Sequence, residues 1–158
     1  MSGALAIVVT VSDRSAAGER EDRSGPAAVA RLEAAGLRTQ LRVVPDGAEW
    51  VASAIRGAVA DGADLVITSG GTGIGPRDFT PEGTREVVTR EVPGIADLLR
   101  LRSLEASPHA ALSRGTAGVV GTTLVVNLPG SPRAVEESLD VLLPLIPHAL
   151  SQLAGGDH

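Results

Sequence analysis

Residues 68–82 contain the residue types and spacing best suited to chemistry. They read Thr-Ser-Gly-Gly-Thr-Gly-Ile-Gly-Pro-Arg-Asp-Phe-Thr-Pro-Glu and follow the apolar run 63–67. Glycines let a backbone approach a ligand closely and point several N–H groups at one anion. A tight strand-to-helix connection also favours glycine, but four glycines and two hydroxyls exceed its needs. We therefore predict that this segment binds phosphate through Ser69, Gly70, Gly71, Thr72, Gly73 and Gly75.

Three carboxylates lie near this glycine loop, which we define as residues 70–75. Asp13, Asp46 and Asp78 each follow an apolar run that reads as a strand. Because parallel strands end on one edge of a sheet, these side chains should share a rim. Alone, Asp46 fits a helix cap and Asp78 a turn residue. Together they match the way Mg²⁺ is held, by one or two carboxylates with phosphate oxygens and water.

A second turn-to-helix segment, residues 127–132, reads Asn-Leu-Pro-Gly-Ser-Pro. Ser131 fits a helix cap, with Pro132 in the first turn. A second anion site is an equally good interpretation, because the segment follows the last apolar strand and should reach the same rim. Both interpretations stay open from the residues alone.

The residue types that the chain lacks limit the kinds of reaction that it can catalyse. All 14 basic residues are Arg, and the chain has no Lys, Cys or Tyr. Schiff-base lysines, thiolate nucleophiles, disulfides and Cys-bound metals are therefore excluded. The three histidines are scattered without ligand spacing, and we assign them no catalytic role. Transfer of a phosphoryl or nucleotidyl group to an ionised phosphate fits, because it needs positioning and charge neutralisation more than a base.

The composition also limits the kinds of partner that the chain can bind. The net charge is −5 and the chain has one Trp and one Phe, so it lacks the basic face and stacking aromatics of nucleic-acid binders. No apolar run reaches the ~18 residues of a membrane span, and the N-terminus shows no signal peptide. We expect a cytoplasmic protein that binds a small anion. Arg77 or Arg114, helix N-termini and bound Mg²⁺ should supply the local positive field.

Apolar periodicity predicts the elements that position these residues. Strands are predicted at 5–11, 41–44, 65–67, 117–120 and 124–126, with a turn at 121–123. Helices are predicted at 24–36, 50–62, 81 to about 91 and 95–104, and after 131 as a helix that Pro144 and Pro147 kink or divide. Thr80 should cap the third of these helices. The alternation predicts one domain, a three-layer α/β/α sandwich with a mostly parallel sheet, and a frayed tail at 155–158.

Six segments together resemble the molybdopterin adenylyltransferase family, the MogA- and MoaB-like proteins of molybdenum-cofactor biosynthesis, which includes the gephyrin G domain. The segments occur in order along nearly the whole chain: Thr10-Val-Ser-Asp-Arg14, Asp22-Arg-Ser-Gly25, Val44-Pro-Asp46, 68–82, Leu112-Ser-Arg114 and 127–132. The Gly-Gly-Thr-Gly…Arg-Asp-x-Thr-Pro stretch is the most specific. The resemblance implies one molybdopterin-binding domain over 1–158.

The same resemblance implies an activity and a set of site residues. The family transfers AMP from Mg-ATP to the terminal phosphate of molybdopterin, and it usually forms trimers, or hexamers, that would contact the molybdate-insertion enzyme transiently. Its two metal-associated aspartates fall on Asp46 and Asp78. The substrate-binding positions fall on Ser12, Asp13, Ser69, Gly70, Gly71, Thr72, Gly73, Gly75, Arg77, Ser113, Arg114, Asn127, Pro129, Gly130 and Ser131.

Two other functions remain open at this point. MoaB-like members of the family exist that bind the pterin or act as a scaffold without adenylylation. A general nucleotide-binding α/β domain would use the same loop. The intact Asp46 and Asp78 favour the enzyme over the scaffold.

Overall fold

The computed structural model describes residues 1–157. It contains one six-stranded sheet with strand order β2-β1-β3-β6-β5-β4. The first four strands of that order are parallel, while β5 is antiparallel to both β6 and β4. The strands are β1 Leu5–Val11, β2 Arg38–Val44, β3 Leu65–Ser69, β4 Arg90–Glu91, β5 Ala117–Val120 and β6 Thr123–Leu128. The predicted mostly parallel α/β sheet is thereby confirmed.

Helices cover both faces of the sheet. They are α1 Asp13–Ala16, α2 Ser24–Ala34, α3 Ala48–Ala60, α4 Thr80–Val87, α5 Pro93–Leu104, α6 Pro132–Leu142 and α7 Ile146–Leu153. Apolar side chains of α2, α5, α6 and α7 pack on one face, and those of α3 with the end of α4 on the other. Two helical layers therefore enclose the sheet, which gives the three-layer sandwich that the alternation of elements predicts.

The central strand β1 shows why the sheet lies at the centre of the fold. All seven of its residues are buried. Ala6 and Val8 contact the layer that contains α2, whereas Ile7 and Val9 contact the layer that contains α3. A continuous apolar and β-branched run suits a strand that is covered on both faces.

The prediction of a helix from 81 to about 91 was wrong at its end. The helix α4 ends at Val87, and Val88 is extended with φ −62° and ψ 129°. The N–H of Thr89 then donates to the carbonyl of Val119 at 2.9 Å, and β4 pairs with β5. Pairing with a distant strand thus overrides the local helical pattern. Pro93 begins α5, because proline fits a first helical turn.

Smaller differences have local causes. The edge strand β2 begins at Arg38, three residues before the predicted start, because its first residues are polar and lack an apolar pattern. Thr80 is the first residue of α4, and Phe79 occupies the cap position without a side-chain bond. The short α1 and a 3-10 turn at Pro108–Leu112 were not predicted.

The C-terminal region follows its prolines. A 3-10 turn at Leu143–Leu145 separates α6 from α7, so the predicted division near Pro144 and Pro147 is confirmed. Regular structure ends at Leu153, and His158 of the predicted tail lies outside the described residues. Within residues 1–157, no helix has both the length and the apolar character needed to cross a bilayer.

Candidate functional site

Four strand ends converge on one edge of the sheet. In the register of the parallel strands, Val11 lies opposite Val44, Thr10 opposite Ser69, and Ser69 opposite Leu128. The residues that follow these strands are therefore neighbours. They include Ser12 after β1, Asp46 after β2, the glycine loop after β3 and the 129–131 turn after β6. This is the edge at which open α/β sheets bind ligands.

The glycine loop passes so close to its neighbours that side chains would not fit. Gly70 has a φ of 101°, and a Cβ there would lie 2.4 Å from the carbonyl oxygen of Val11. Gly71 has a φ of 67°, and its Cβ would lie 2.3 Å from the Thr80 Oγ1. The Thr80 hydroxyl donates to the Gly70 carbonyl at 2.8 Å. The loop thus packs closely against the end of β1 and is hydrogen-bonded to the start of α4.

Asp13 and Asp46 connect the ends of β1 and β2. The Asp13 N–H donates to the Asp46 Oδ2 at 2.9 Å, and the Asp46 N–H donates to the Asp13 Oδ1 at 3.1 Å. Arg77 completes the arrangement, because its Nε donates to the Asp13 Oδ2 at 3.1 Å and its Nη2 to the Asp46 carbonyl at 2.9 Å. The hydrogen bond from Arg77 holds the pKa of Asp13 below its ordinary value. Asp13 therefore acts as the partner of Arg77.

Asp46 and Asp78 each keep one carboxylate oxygen free. The Oδ2 of Asp78 accepts from the Gly75 N–H at 2.9 Å and the Oδ2 of Asp46 accepts from Asp13. Among residues 1–157, no donor reaches the Oδ1 of either. Burial raises the pKa of Asp46, and repulsion from the carboxylates of Asp13 and Asp78 adds to the shift. Asp46 does not cap α3, whose cap position is Gly47 without a side-chain bond.

This donor set fits a magnesium ion. Mg²⁺ prefers carboxylate oxygen and keeps several waters, so two monodentate carboxylates beside a phosphate site suffice. A cation there would relieve the repulsion that raises the pKa of Asp46. The described residues contain no group of three or more His, Cys, Asp or Glu suited to a metal. A metal held entirely by protein side chains is therefore not what this site offers.

A cavity of about 660 Å³ opens at this edge, and we call it the carboxylate cavity. Eight of the predicted site residues line it: Ser12, Asp46, Ser69, Gly70, Gly71, Asp78, Gly130 and Ser131. The predicted Asp13, Gly75 and Arg77 are not among its lining residues. The structure thus brings both candidate metal ligands and six of the fifteen predicted substrate positions to one cavity.

The sequence-based list omitted residues 20–23, which also line the carboxylate cavity. Asp22 holds this segment in place, because its Oδ2 accepts from the Thr10 hydroxyl at 2.8 Å and its Oδ1 from the Gly25 N–H at 3.0 Å. Polar composition alone indicates only a loop there. The one sequence feature that could have indicated this wall is the Asp22-Arg-Ser-Gly25 segment. It belongs to the resemblance, but the resemblance assigned no site role to it.

A second cavity, of about 340 Å³, lies on the other side of the glycine loop. We call it the apolar cavity, because Ala106, Ala110, Leu112, Pro129 and Ala134 contribute much of its wall. The predicted Thr72, Gly73, Ser113 and Pro129 line this cavity, and Ser131 lines both. Ten of the fifteen predicted substrate residues therefore line one or both of these cavities, and the other five, Asp13, Gly75, Arg77, Arg114 and Asn127, line neither.

Arg114 holds the wall between the cavities. Its Nε donates to the Gly73 carbonyl at 2.8 Å and its Nη2 to the Asp78 carbonyl at 2.7 Å, while its Nη1 pairs with Glu82. Partial burial would raise the pKa of Glu82, but the hydrogen bond from Arg114, a backbone hydrogen bond and the charges of Arg114 and Arg85 together outweigh it and lower the pKa. Both Arg77 and Arg114 lie at the glycine loop, yet each is ion-paired and neither lines either cavity. The positive field expected from them is therefore largely neutralised by their partners.

Asn127 and Ser131 also form hydrogen bonds within the protein. The Asn127 amide, which is buried, donates to the hydroxyls of Thr68 at 2.8 Å and Thr84 at 2.9 Å, and its oxygen accepts from the Thr116 N–H. It ties β6 to β3, to α4 and to the start of β5. The Ser131 Oγ accepts from the Ala134 N–H and caps α6. A substrate role for Asn127 stays a prediction.

Comparisons with known proteins find matches over most of the chain. Residues 7–148 match the sequence model of a family described as "probable molybdopterin binding domain". The chain is 36% identical over 152 residues to a molybdopterin adenylyltransferase of Helicobacter pylori, covering 94% of the chain and 86% of that protein. It is 42% identical over 160 residues to a molybdenum cofactor biosynthesis bifunctional protein of Synechococcus elongatus.

A solved structure of the molybdopterin biosynthesis Mog protein from Mycobacterium ulcerans superposes with a TM-score of 0.91 and 45% identity, covering 96% of this chain and 99% of that one. Coverage is less complete for the longer relatives. The chain spans 50% of the Synechococcus protein, all of its own length being matched. It spans 21% of a gephyrin of Dictyostelium discoideum and 25% of the molybdenum cofactor synthesis protein cinnamon of Drosophila melanogaster.

Proposed function

Because the chain belongs to the family of probable molybdopterin-binding domains, we propose that it transfers AMP from Mg-ATP to the terminal phosphate of molybdopterin. The products are adenylyl-molybdopterin and pyrophosphate. The observation that carries the proposal is the pair of Asp46 and Asp78 at the carboxylate cavity, each with one oxygen free beside a glycine loop. The relatives named molybdopterin adenylyltransferase support the same activity.

The two cavities suit the two substrates. The carboxylate cavity is large and carries the metal-binding oxygens, so it suits the nucleotide with its metal ion. The apolar cavity is smaller and has aliphatic walls beside Ser113, so it suits a flat pterin ring. The glycine loop and Ser131 lie between them, where the phosphate groups of both ligands would meet.

The reaction requires no protein nucleophile. An oxygen of the terminal pterin phosphate forms a bond to the α-phosphorus of ATP, and the bond from that phosphorus to the bridging oxygen of the β-phosphate breaks. The nucleophile is already ionised near neutral pH, which agrees with the lack of Lys and Cys. The work of the chain is then to position both phosphates and to stabilise the charge that develops between them.

Asp46 and Asp78 would hold Mg²⁺, which supplies positive charge to the phosphate oxygens when bound. The hydrogen bonds from the Asp13 and Gly75 N–H groups fix one oxygen of each carboxylate and leave the other available for the metal. The glycine loop would bring its backbone N–H groups close to the phosphates. Arg114 holds the backbone of Gly73 and Asp78 in place through hydrogen bonds to their carbonyls.

One assay tests the proposal. The protein is incubated with molybdopterin and Mg-ATP, and pyrophosphate release and adenylyl-molybdopterin are measured. Stoichiometric formation of both supports the transferase. Molybdopterin binding without pyrophosphate release would instead support a binding protein or scaffold, and ATP binding without pterin binding a general nucleotide-binding domain.

The resemblance also supports a cytoplasmic homotrimer, or a hexamer, which passes its product to a molybdate-insertion enzyme. Size-exclusion chromatography with light scattering measures the assembly directly. A monomeric mass at micromolar concentration would contradict this part of the proposal, and it would leave the chemistry of the single-chain site unaffected.

A further inference from the structure

Arg20 differs from the other arginines around the site. Its side chain is exposed, lines the carboxylate cavity and has no hydrogen-bond or ion-pair partner among residues 1–157. By contrast, Arg23 pairs with Glu21 at 3.7 Å, Arg77 with Asp13 at 3.1 Å, and Arg114 with Glu82. Within the described chain, Arg20 is therefore the unpaired cation at this cavity.

The backbone on both sides of Arg20 is anchored. The Glu19 N–H donates to the Arg14 carbonyl at 2.9 Å, which ties the segment to α1. Two residues after Arg20, the Asp22 carboxylate binds the Thr10 hydroxyl and the Gly25 N–H. The segment is thus held at the mouth of the cavity, while the guanidinium itself is left without a partner.

The charges that line the cavity indicate what the Arg20 cation could do. Two arginines and four carboxylates line it: Arg20, Arg23, Glu21, Asp22, Asp46 and Asp78. The Asp22 carboxylate is occupied by hydrogen bonds and Glu21 is paired with Arg23. A polyphosphate that enters would therefore be repelled by the two remaining carboxylates unless cations offset them. Bound Mg²⁺ would offset Asp46 and Asp78, and Arg20 provides a second, permanent positive charge.

We propose that Arg20 is a substrate-binding residue that binds a phosphate group of an anionic ligand in the carboxylate cavity. The guanidinium presents parallel N–H donors that match a phosphate, and it stays charged at all physiological pH values. The identity of the ligand as a nucleoside triphosphate rests on the proposed function. The binding of a diphosphate or triphosphate group by Arg20 does not.

Isothermal titration calorimetry of inorganic pyrophosphate and of ATP, both with Mg²⁺, tests this inference. Arg20→Gln should weaken the binding of both ligands about tenfold. Arg20→Lys should recover part of the loss, since it keeps the charge but not the bidentate geometry. The matched control is Arg56→Gln, because Arg56 is also exposed and unpartnered in the described chain but lies on α3, away from the cavity. It should bind both ligands like the wild type.

The outcomes separate this inference from the proposed function. Binding by Arg20→Gln within about twofold of the wild type would overturn the inference, even if the wild type transfers AMP. No pyrophosphate binding by the wild type would overturn it as well. Arg20-dependent binding of pyrophosphate without any AMP transfer supports the inference and contradicts the proposed function. Thermal unfolding of each variant checks that the loop substitution leaves the fold intact.

Discussion

The two cavities on either side of the glycine loop differ in chemistry although they share one edge of the sheet. The carboxylate cavity is about 660 Å³ and includes Asp46, Asp78 and residues 20–23. The apolar cavity is about 340 Å³ and is walled largely by small aliphatic side chains and Leu112. The glycine loop and Ser131 lie between them.

The difference comes from the elements that surround each cavity. The ends of the parallel strands β1, β2, β3 and β6 surround the carboxylate cavity, and an aspartate follows each of the first three. The end of α5, the 3-10 turn at Pro108–Leu112 and the start of α6 form the apolar cavity. The edge of a parallel sheet therefore supplies the charged groups, and the helix ends and the 3-10 turn add the apolar wall beside it.

The largest effect should come from Asp78→Asn. Asparagine keeps the size of the side chain and an oxygen for the Gly75 N–H, but it loses the charge that binds the metal. We expect AMP transfer to fall by at least about 100-fold, because metal charge stabilisation is worth several kcal/mol. Molybdopterin binding should change less than about twofold, since the apolar cavity is untouched. Pyrophosphate release and a fluorescence titration of the pterin measure the two properties.

The control for this variant is Asp97→Asn. Asp97 is an exposed carboxylate on α5 that pairs with Arg100 at 3.0 Å. Its loss should leave transfer unchanged. Normal turnover by Asp78→Asn would disprove the metal-binding role, and the contrast between the two cavities would then lose its chemical basis.

A smaller effect, on the pterin and not on the nucleotide, should come from Leu112→Ala. Leu112 is 51% exposed and lines the apolar cavity, so its truncation removes apolar contact area from a ligand there. We expect the KM for molybdopterin to rise about fivefold, and the KM for ATP and kcat to stay within about twofold. Leu101→Ala is the matched control, because Leu101 is 64% exposed on α5 and lines neither cavity. An equal rise of both KM values in Leu112→Ala would show that the substrates do not divide as proposed.

The smallest effect, on stability, should come from the ion pair of Glu82 with Arg114, the residue that binds the backbone between the two cavities. The pKa of Glu82 is lowered in the folded state, so its ion pair with Arg114 stabilises the fold above the ordinary pKa of 4.5 and loses this contribution as the pH falls through the lowered pKa. Glu82→Gln should reduce the free energy of unfolding by at most about 1 kcal/mol at pH 7, because the pair is partly exposed. The difference from the wild type should shrink below pH 4.5.

Urea unfolding at pH 7 and under acidic conditions measures this change. Glu86→Gln, at an exposed position on the same helix, is the control and should be neutral at both pH values. A loss of stability in Glu82→Gln that persists unchanged at acidic pH would point to lost packing, with no ion-pair contribution.

The sequence predicted the parallel half of the sheet well. The limits of β1 are as predicted because its run is apolar throughout, and β3 and β6 extend beyond their predicted cores by two or three residues. Strand β4 was not predicted, because Arg90 and Glu91 carry no apolar pattern and their pairing with β5 is a long-range contact. Local patterns fail where a distant partner decides the structure.

The sequence also predicted which residues gather at the edge, but not what each one contacts. It grouped Asp13 with Asp46 and Asp78 as carboxylates of one rim, and the structure bonds Asp13 to Asp46 there, but it did not predict that Asp13 also pairs with Arg77. Arg20 was missed for a similar reason, since a loop arginine carries no signal until its neighbours are known to have partners. Hydrogen-bond partners depend on side chains far apart in the sequence, and residue spacing does not encode them.

The two outer strands of the sheet have a consequence for how copies of this chain meet. On one side, β2 carries Arg38 and Arg42, and on the other β4 has only two residues, both charged. Short or charged outer strands discourage the addition of a further strand from another molecule. An assembly of this chain would therefore associate through side-chain surfaces, and the sheet would not continue from one copy into the next.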